Sequence, residues 1–354
     1  MKFTLSWLQE HLDTSATLEV IVETLTLVGL EVEELVDPAA RLAGFEVAEI
    51  IATEPHPDAD KLQICTVQSG EGTQKLVCGA PNARAGLRGI LAKQGAVIPS
   101  NGMVLAKAKI RGVESNGMMC SAAELQLSDD HDGIIELDAS FDIGASAASA
   151  LGQTDPMIEI AITPNRPDCL GVRGIARDLA AAGLGTLKAD PTQAPKAGGQ
   201  ATPNIEVSGP VCAAFGAILI SGVTNAPSPA WLQQRLRAIG LNPISALVDI
   251  TNYISYDRGR PLHVYDADRL TGGVRARQAK AGESLLALDE KTYELTPDDC
   301  VIADDNGVLG LAGIMGGLAS GSTNETVNVL VESAWFEPIA IALSGRHHYI
   351  ESDA

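Results

Sequence analysis

The stretch Val248-Asp-Ile-Thr-Asn-Tyr253 lies at the centre of the fold and function that this sequence predicts. Apolar residues in and around it recur at helical spacing, which predicts a helix with one buried and one polar face. We expect Leu247, Ile250 and Ile254 to form the buried face. The polar face, which would present donors and acceptors, carries Asp249, Thr251 and Asn252.

Two segments further along the chain complete this polar stretch. Asp257-Arg-Gly-Arg-Pro261 has the composition of a turn. The residues after it alternate with the period of a strand, so His263 would stand on the face opposite Leu262. With Glu332 further along the chain, these segments predict a pocket for binding, orientation and water activation. Taken alone, a single His beside Pro in a strand is more often a hydrogen-bonded structural residue than a catalyst.

Composition limits what the chain can bind. Its 354 residues predict two or three domains, and 45 acidic against 25 basic residues give a net charge of −20. Indiscriminate binding to nucleic acid needs clustered Lys and Arg, so we expect RNA contact to be confined to local patches. The candidate patch comprises Lys107, Lys109 and Arg111.

Cysteine spacing and hydropathy argue against a metal site and a membrane span. The six Cys include no Cys-x-x-Cys pair and have no His at ligand spacing, so we predict reduced thiols and no metal. No apolar run approaches the roughly 20 residues that a span needs, and Met1-Lys-Phe-Thr-Leu5 lacks a signal-peptide pattern. We therefore expect a cytoplasmic protein.

The pattern changes several times along the chain. Residues 1–38 and 150–185 have helical periodicity, whereas residues 45–137 consist of short alternating runs punctuated by Gly, Pro and Asn. Such runs predict a small all-β barrel. Residues 183–203, rich in Gly, Ala, Thr and Pro, predict a linker.

Several motifs together resemble one family, the β subunit of bacterial phenylalanyl-tRNA synthetase, along essentially the whole chain. They are Val248–Tyr253, Gly259-Arg-Pro-Leu-His263 and Asn165-Arg-Pro-Asp-Cys169. Three further motifs resemble the tRNA-binding module that is also appended to other synthetases, namely His56–Leu62, Val77–Asn82 and Gly117–Ser121. The family's subunit is much longer, so we expect this chain to be its amino-terminal piece.

The resemblance implies an α+β multidomain fold. An oligonucleotide-binding-type β-barrel would be inserted in a small discontinuous α/β domain and followed by a mixed α+β editing module. The implied boundaries are 1–38 plus 149–185 for the discontinuous domain, 39–148 for the tRNA-binding domain, 186–204 for the linker, and 205–354 for the editing module, incomplete at its C-terminal end.

The resemblance also implies a function, which is tRNA binding and hydrolytic editing of tyrosyl-tRNA for phenylalanine. The residues implied near the ester and the terminal adenosine are His263, Thr251 and Asn252. Those implied in substrate recognition are Glu332, Pro261, Gly316 and Ala354. We expect no cofactor in this chain; ATP and Mg²⁺ are implied for the whole enzyme, an α2β2 assembly with the catalytic α subunit and tRNA.

Two alternatives remain open from the residues. The chain could be a non-catalytic scaffold that places tRNA and the α subunit, in which case replacing Glu332 and His263 would leave proofreading normal. It could also be a tRNA-binding module whose affinity resides in residues 39–148. A salt-dependent gel shift by that piece alone would identify this second case.

Overall fold

Helices and strands alternate irregularly along the chain, which is an α+β protein. A computed structural model describes residues 1–190, 193, 196, 198 and 202–350. The chain forms two units, one containing Met1–Glu33 and the residues from Ile158 onward, the other Glu34–Met157. The predicted border between the discontinuous domain and the editing module falls inside the first unit, so the four-part division stays a prediction. No helix in the described ranges is long and apolar enough to cross a membrane.

The chain begins with short strands and two helices around a buried tryptophan. The elements are β1 (Lys2–Thr4), α1 (Leu5–His11), β2 (Leu12–Asp13), α2 (Leu18–Leu27) and β3 (Val32–Val36). Trp7 is fully buried with the leucines around it. Gly29, at φ +87°, follows the C-cap of α2, a conformation that glycine adopts without steric cost.

The second unit is built on an antiparallel sheet. Its elements are α3 (Pro38–Arg41), β4 (Phe45–Pro55), β5 (Gln63–Ser69), β6 (Gly72–Cys78), β7 (Arg88–Ala92), β8 (Ala108–Ile110), β9 (Val113–Ser115), β10 (Met118–Met119) and α4 (Ala147–Ala150). The sheet order is β10-β7-β4-β5-β6, and β8 and β9 form a separate hairpin. This order alone does not close a barrel, so the oligonucleotide-binding barrel stays a prediction.

The chain then returns to the first unit. Its elements there are β11 (Met157–Ile160), a 3-10 turn (Pro167–Cys169), α5 (Val172–Ala181), β12 (Thr186–Leu187), β13 (Ile205–Val207), β14 (Cys212–Ser221), α6 (Ala230–Ala238), α7 (Ala246–Arg258), β15 (His263–Asp266), a 3-10 turn (Ala267–Arg269), β16 (Val274–Gln278), β17 (Ser284–Leu286), β18 (Thr292–Glu294), β19 (Cys300–Ala303), β20 (Val308–Leu311), β21 (Met315–Gly316), β22 (Asn328–Phe336) and α8 (Pro338–His348).

Two sheets in the part of the first unit that follows Ile158 position the candidate site. One has three antiparallel strands in the order β14-β22-β15. The other is a mixed sheet of five strands in the order β13-β16-β19-β20-β21, in which β13 and β16 are parallel. Their facing side chains form a common core that includes Tyr265, Ile302 and Leu330. Helix α8 is held against this region because Ser344 and His348 both hydrogen-bond to the buried carboxylate of Asp299, at 2.7 and 3.0 Å.

The helix predicted around Val248–Tyr253 is confirmed as α7, but its buried face differs from the prediction. Ile250, expected in the core, is 47% exposed, whereas Asp249 is fully buried. Asp249 can be buried because it accepts hydrogen bonds from the Ser228 hydroxyl and the Ile244 amide. Burial of a polar group costs little when its hydrogen bonds are satisfied.

The prediction that Asp257 belongs to a turn is also wrong. It lies in the last turn of α7, buried, and accepts hydrogen bonds from Trp7 Nε1 at 2.7 Å and Arg258 Nε at 2.6 Å, and its Oδ1 lies 2.5 Å from His11 Nε2. The ring of Tyr253 stacks on Trp7 at 5.1 Å. These contacts join α7 to α1, and Gly259, at φ +62°, then ends the helix.

The Asn165–Cys169 motif, which precedes α5, forms an ion-pair cluster with residues of that helix. Arg166 pairs with Asp168 and Asp178, and Arg177 pairs with Asp168. In the described ranges, Asp168, Cys169 and Asp178 are the one group whose ligand atoms lie close enough together to hold a cation. The two arginines already satisfy those carboxylates, so we assign the cluster a structural role.

Candidate active site

A cavity of about 470 Å³ lies beside the β15 and β22 strands, with the β20–β21 turn and α8 contributing its other walls. Its wall is largely apolar, and its three titratable side chains are His263, Tyr265 and Glu332. Ligand pockets in proteins typically combine such an apolar lining with a few polar groups that fix orientation. The apolar side chains include Ile302, Leu311, Trp335, Phe336 and Ile341.

Strand register brings the two principal polar residues together. His263 of β15 pairs with Glu332 of β22, which pairs on its other side with Ala217 of β14. Directly opposed residues in an antiparallel sheet project to the same face, so the imidazole and the carboxylate share one side of the sheet. The predicted strand at His263 is therefore confirmed. The residue opposite His263 is Glu332, which the resemblance implied in substrate recognition.

His263 carries an unsatisfied polar atom into this cavity. Burial lowers the pKa of His263 to about 4, so the imidazole is neutral at physiological pH. Its Nε2 is buried and has no hydrogen-bond partner among the described residues. Buried polar atoms nearly always have a partner, so this nitrogen points to a water or ligand as its partner in solution.

Glu332 is almost completely buried, and its partner is a phenol. Burial raises the pKa of Glu332 to about 7, against the opposing effect of a hydrogen bond from Tyr265. The Tyr265 hydroxyl donates to Glu332 Oε2 at 2.6 Å. Burial and the neighbouring carboxylate raise the pKa of Tyr265 well above its usual range, so its hydroxyl stays protonated and remains a donor.

Gly316 leaves the space that the His263 ring occupies. A Cβ atom at position 316 would lie 2.3 Å from His263 Cε1 and 2.8 Å from its Nε2. Gly316 pairs with Gly310 on the adjacent strand, so two glycines face each other at this edge of the cavity. The absence of a side chain at 316 therefore permits the observed imidazole position.

The structure brings together some of the residues expected at the site and not others. The cavity is lined by Pro261, His263, Gly316 and Glu332. Thr251 and Asn252 lie on α7 outside this lining, and the Thr251 hydroxyl donates to the carbonyl of Val248 at 2.8 Å. Ala354 lies outside the described residues.

Tyr265 was not among the expected site residues. The strand period that placed His263 also places Tyr265 on the same face two residues later, and this signal could have identified it. The same alternation along β22 places Phe336 on the face of Glu332, and Trp335 also lines the cavity although it is an odd number of residues away. Periodicity along β15 does not reveal that β22 is the strand paired with it.

The basic patch expected to contact RNA lies in the second unit, on the β8–β9 hairpin. Lys107 pairs with Glu114 at 2.9 Å, whereas Lys109 and Arg111 are exposed. Arg111 has φ +44° and precedes Gly112 in the tight turn. Its guanidinium donates to the carbonyl of Asp58, so part of its donor capacity is already used.

The raised pKa of Glu332 predicts a pH-dependent stability cost. Because the folded-state pKa rises from 4.5 to about 7, ionising this carboxyl destabilises the folded protein as pH increases through that window. We expect Glu332→Gln to raise the free energy of unfolding by about 3 kcal/mol at pH 8 and to change it little at pH 5. Urea unfolding at both pH values measures this. Glu294→Gln, on exposed β18, is the control; an equal change at both pH values would contradict the prediction.

Comparison with known proteins finds a family model that matches each of two segments of the chain. Residues 45–146 match a tRNA binding domain, and residues 211–354 match the B3/4 domain. The cavity residues from His263 to Glu332 fall within the second match.

Individual relatives match the whole chain. It is 54% identical over 363 residues to the phenylalanine–tRNA ligase beta subunit of Ruegeria pomeroyi, covering 100% of this chain and 45% of the relative. The corresponding subunit of Rhodopseudomonas palustris is 55% identical, covering 100% of this chain and 44% of the relative. A solved N-terminal fragment of the phenylalanyl-tRNA synthetase beta-subunit from Pyrococcus horikoshii is 14% identical over 55% of this chain and 61% of that chain, with a TM-score of 0.32. This chain thus spans less than half the length of these curated relatives.

Proposed function

We propose that the chain, which matches phenylalanine–tRNA ligase beta subunits along its whole length, contributes tRNA binding and hydrolytic editing of tyrosyl-tRNA for phenylalanine. The observation that carries this proposal is that a buried carboxylate and an imidazole with an unsatisfied nitrogen line the same apolar cavity. Glu332 would recognise the phenol of a misattached tyrosine, and His263 would act at the ester.

Amino-acid chemistry explains why such a pocket is useful. A hydrophobic activation site rejects an analogue that merely adds a hydroxyl by only about 100-fold, so a second, hydrolytic site improves fidelity. A buried carboxylate reverses the preference. Tyrosine satisfies it with a hydrogen bond, whereas phenylalanine would leave a buried acceptor unpaired, at a cost of about 1–3 kcal/mol.

The hydrolytic step needs a positioned water. Water oxygen would attack the ester carbonyl carbon, the ester C–O bond would break, and the terminal ribose hydroxyl of the tRNA would leave with a proton. A neutral imidazole with a pKa of about 4 is a weak base at physiological pH, so His263 is better suited to orienting water through Nε2 than to removing its proton outright. The proposal uses neither a metal ion nor a covalent intermediate.

The remaining expected residues take supporting roles in the proposal. Pro261 and Gly316 shape the cavity wall around His263. Thr251 and Asn252, outside the lining, would contact the terminal adenosine. Lys107, Lys109 and Arg111 would contact RNA, for which salt-dependent binding is the measurement.

The complete enzyme would need further components. We propose an α2β2 assembly in which the α subunit carries aminoacylation with ATP and Mg²⁺, in the cytoplasm. No step of the editing reaction proposed for this chain depends on those cofactors.

The proposal is tested by deacylation of tyrosyl-tRNA and phenylalanyl-tRNA with the complete enzyme. We expect rapid hydrolysis of the tyrosyl ester alone, and a loss of about 100-fold or more in His263→Ala with phenylalanylation unchanged. His131→Ala, at an exposed histidine of the second unit, is the matched control. Normal proofreading in His263→Ala would instead favour a non-catalytic scaffold.

A further inference from the structure

The contact between Tyr265 and Glu332 has a geometry that bears on specificity. Tyr265 is 2% exposed, and its hydroxyl is bound to Oε2 of the carboxylate. Among the described residues it is the one hydrogen-bond donor shown for the Glu332 side chain. The other carboxylate oxygen, Oε1, is therefore available to accept a hydrogen bond from a ligand.

The surrounding contacts hold the Tyr265 ring in one orientation. His263 packs edge-on against it, with ring centroids 4.5 Å apart and planes at 68°. The backbone of Tyr265 pairs with Leu330, and the backbone of its neighbour two residues earlier pairs with Glu332, so the phenol reaches the carboxylate diagonally across two strands. One aromatic ring thus contacts both groups that the proposed reaction uses.

We propose that Tyr265 is a positioning residue that sets the tyrosine selectivity of the cavity by holding Glu332 in one rotamer with Oε1 turned to the ligand. This inference rests on the proposed editing function and extends it. A carboxylate with no protein donor on either oxygen could rotate away from the substrate, which would reduce the penalty for a substrate without a hydroxyl. With Oε2 bound by Tyr265, Oε1 is the oxygen that a phenol in the cavity can reach as a donor.

A purely structural role for Tyr265 would have a different signature. If Tyr265 only filled space beside the sheet, replacing it would affect folding and the hydrolysis of every substrate alike. The pKa of Glu332 would then stay unchanged. A positioning role changes the pH dependence of hydrolysis, since the hydrogen bond from Tyr265 lowers the pKa of Glu332 against the effect of burial. Three other titratable groups face Glu332: His263 on β15 lines the same cavity, and burial together with the Glu332 carboxylate raises the pKa of Cys212 on β14 and of Cys300 on β19.

The test compares Tyr265→Phe with wild type in the complete enzyme, using tyrosyl-tRNA and phenylalanyl-tRNA over pH 5.5–9. We expect kcat/KM for the tyrosyl ester to fall about tenfold, as for loss of a hydrogen bond to a charged group. The fall of activity at acid pH should also move to higher pH, because ionised Glu332 becomes harder to form. Tyr293→Phe, which removes a phenol bound to exposed Asp289 at 2.8 Å, should leave both quantities unchanged.

A double-mutant comparison separates this inference from the proposed function. In a Glu332→Gln background we expect Tyr265→Phe to cause little further loss, because both changes disturb one interaction. Equal losses in the two backgrounds, or a Tyr265→Phe enzyme with the wild-type pH profile, would overturn the positioning role. Absence of tyrosyl-tRNA hydrolysis in wild type, or no effect of Glu332→Gln alone, would instead overturn the editing function itself.

Replacement of tyrosine by 3-fluorotyrosine provides a second measurement that does not depend on the folding of Tyr265→Phe. The fluorinated phenol is a stronger hydrogen-bond donor, so the fall of activity at acid pH should move to lower pH. Tyr293→Phe enzyme labelled in the same way should show the same shift. An unchanged profile in the labelled enzyme would contradict the role assigned to Tyr265.

Discussion

Replacing Glu332 with Ala is expected to lower kcat/KM for hydrolysis of tyrosyl-tRNA by about 100-fold, near the upper end for loss of a hydrogen bond to a charged group. The variant removes the acceptor that the substrate phenol would use and leaves the buried Tyr265 hydroxyl without its partner. Hydrolysis of phenylalanyl-tRNA should stay constant or rise, because an empty cavity no longer contains an acceptor that phenylalanine leaves unpaired. The measurement is deacylation of both esters by the complete enzyme.

Controls for Glu332→Ala separate recognition from folding. Glu294→Ala removes an exposed carboxylate from β18 in the same unit and should leave both hydrolysis rates unchanged. Phenylalanylation should also be unaffected if that chemistry belongs to another subunit. Retention of full tyrosine selectivity by Glu332→Ala would show that recognition lies elsewhere, and would favour a scaffold function for this region.

Gly316→Ala is expected to reduce hydrolysis of tyrosyl-tRNA by at least about 100-fold, the effect typical of misplacing a catalytic group by roughly 1 Å. The new methyl group would lie 2.3 Å from His263 Cε1, so the imidazole must move. This displacement would separate Nε2 from the position in which it could orient water. Unlike Glu332→Ala, the variant should lower any hydrolysis of the two esters together, because it disturbs the reacting end of the cavity rather than phenol recognition.

A glycine in the three-stranded sheet offers a control for Gly316→Ala. A Cβ atom at Gly216 of β14 would come no closer than 3.4 Å, to the carbonyl of Ser333, which is an ordinary contact. Gly216→Ala should therefore retain hydrolysis. Thermal unfolding of both variants shows whether any loss at 316 is a folding defect. Normal deacylation by a folded Gly316→Ala enzyme would exclude the observed His263 position from the mechanism.

The local pattern of the sequence predicted several elements of the site correctly. Helical periodicity predicted α7, and strand alternation predicted β15 with His263 in it. These predictions succeed because a helix and a strand repeat their side-chain directions over a few consecutive residues. The motifs further indicated a resemblance to one family, and the relatives that match along the whole chain carry that family's name.

Burial of polar groups was predicted poorly. Asp249 and Asp257 both read as exposed polar positions, yet both are buried because distant donors satisfy them. Trp7, the donor to Asp257, is 250 residues away in the chain. A single sequence window contains only one partner of such a pair, so it cannot show that the desolvation cost is offset.

The sequence by itself therefore determined the helix of Val248–Tyr253, the strand of His263, and the supply of a carboxylate at Glu332. Only the tertiary structure decided that β15 and β22 pair in the register that sets His263 opposite Glu332. It also decided that the Tyr265 hydroxyl binds that carboxylate and that Gly316 leaves room for the imidazole. The physical reason is that strand register and desolvation depend on groups far apart in the chain, whereas periodicity reports only on neighbours.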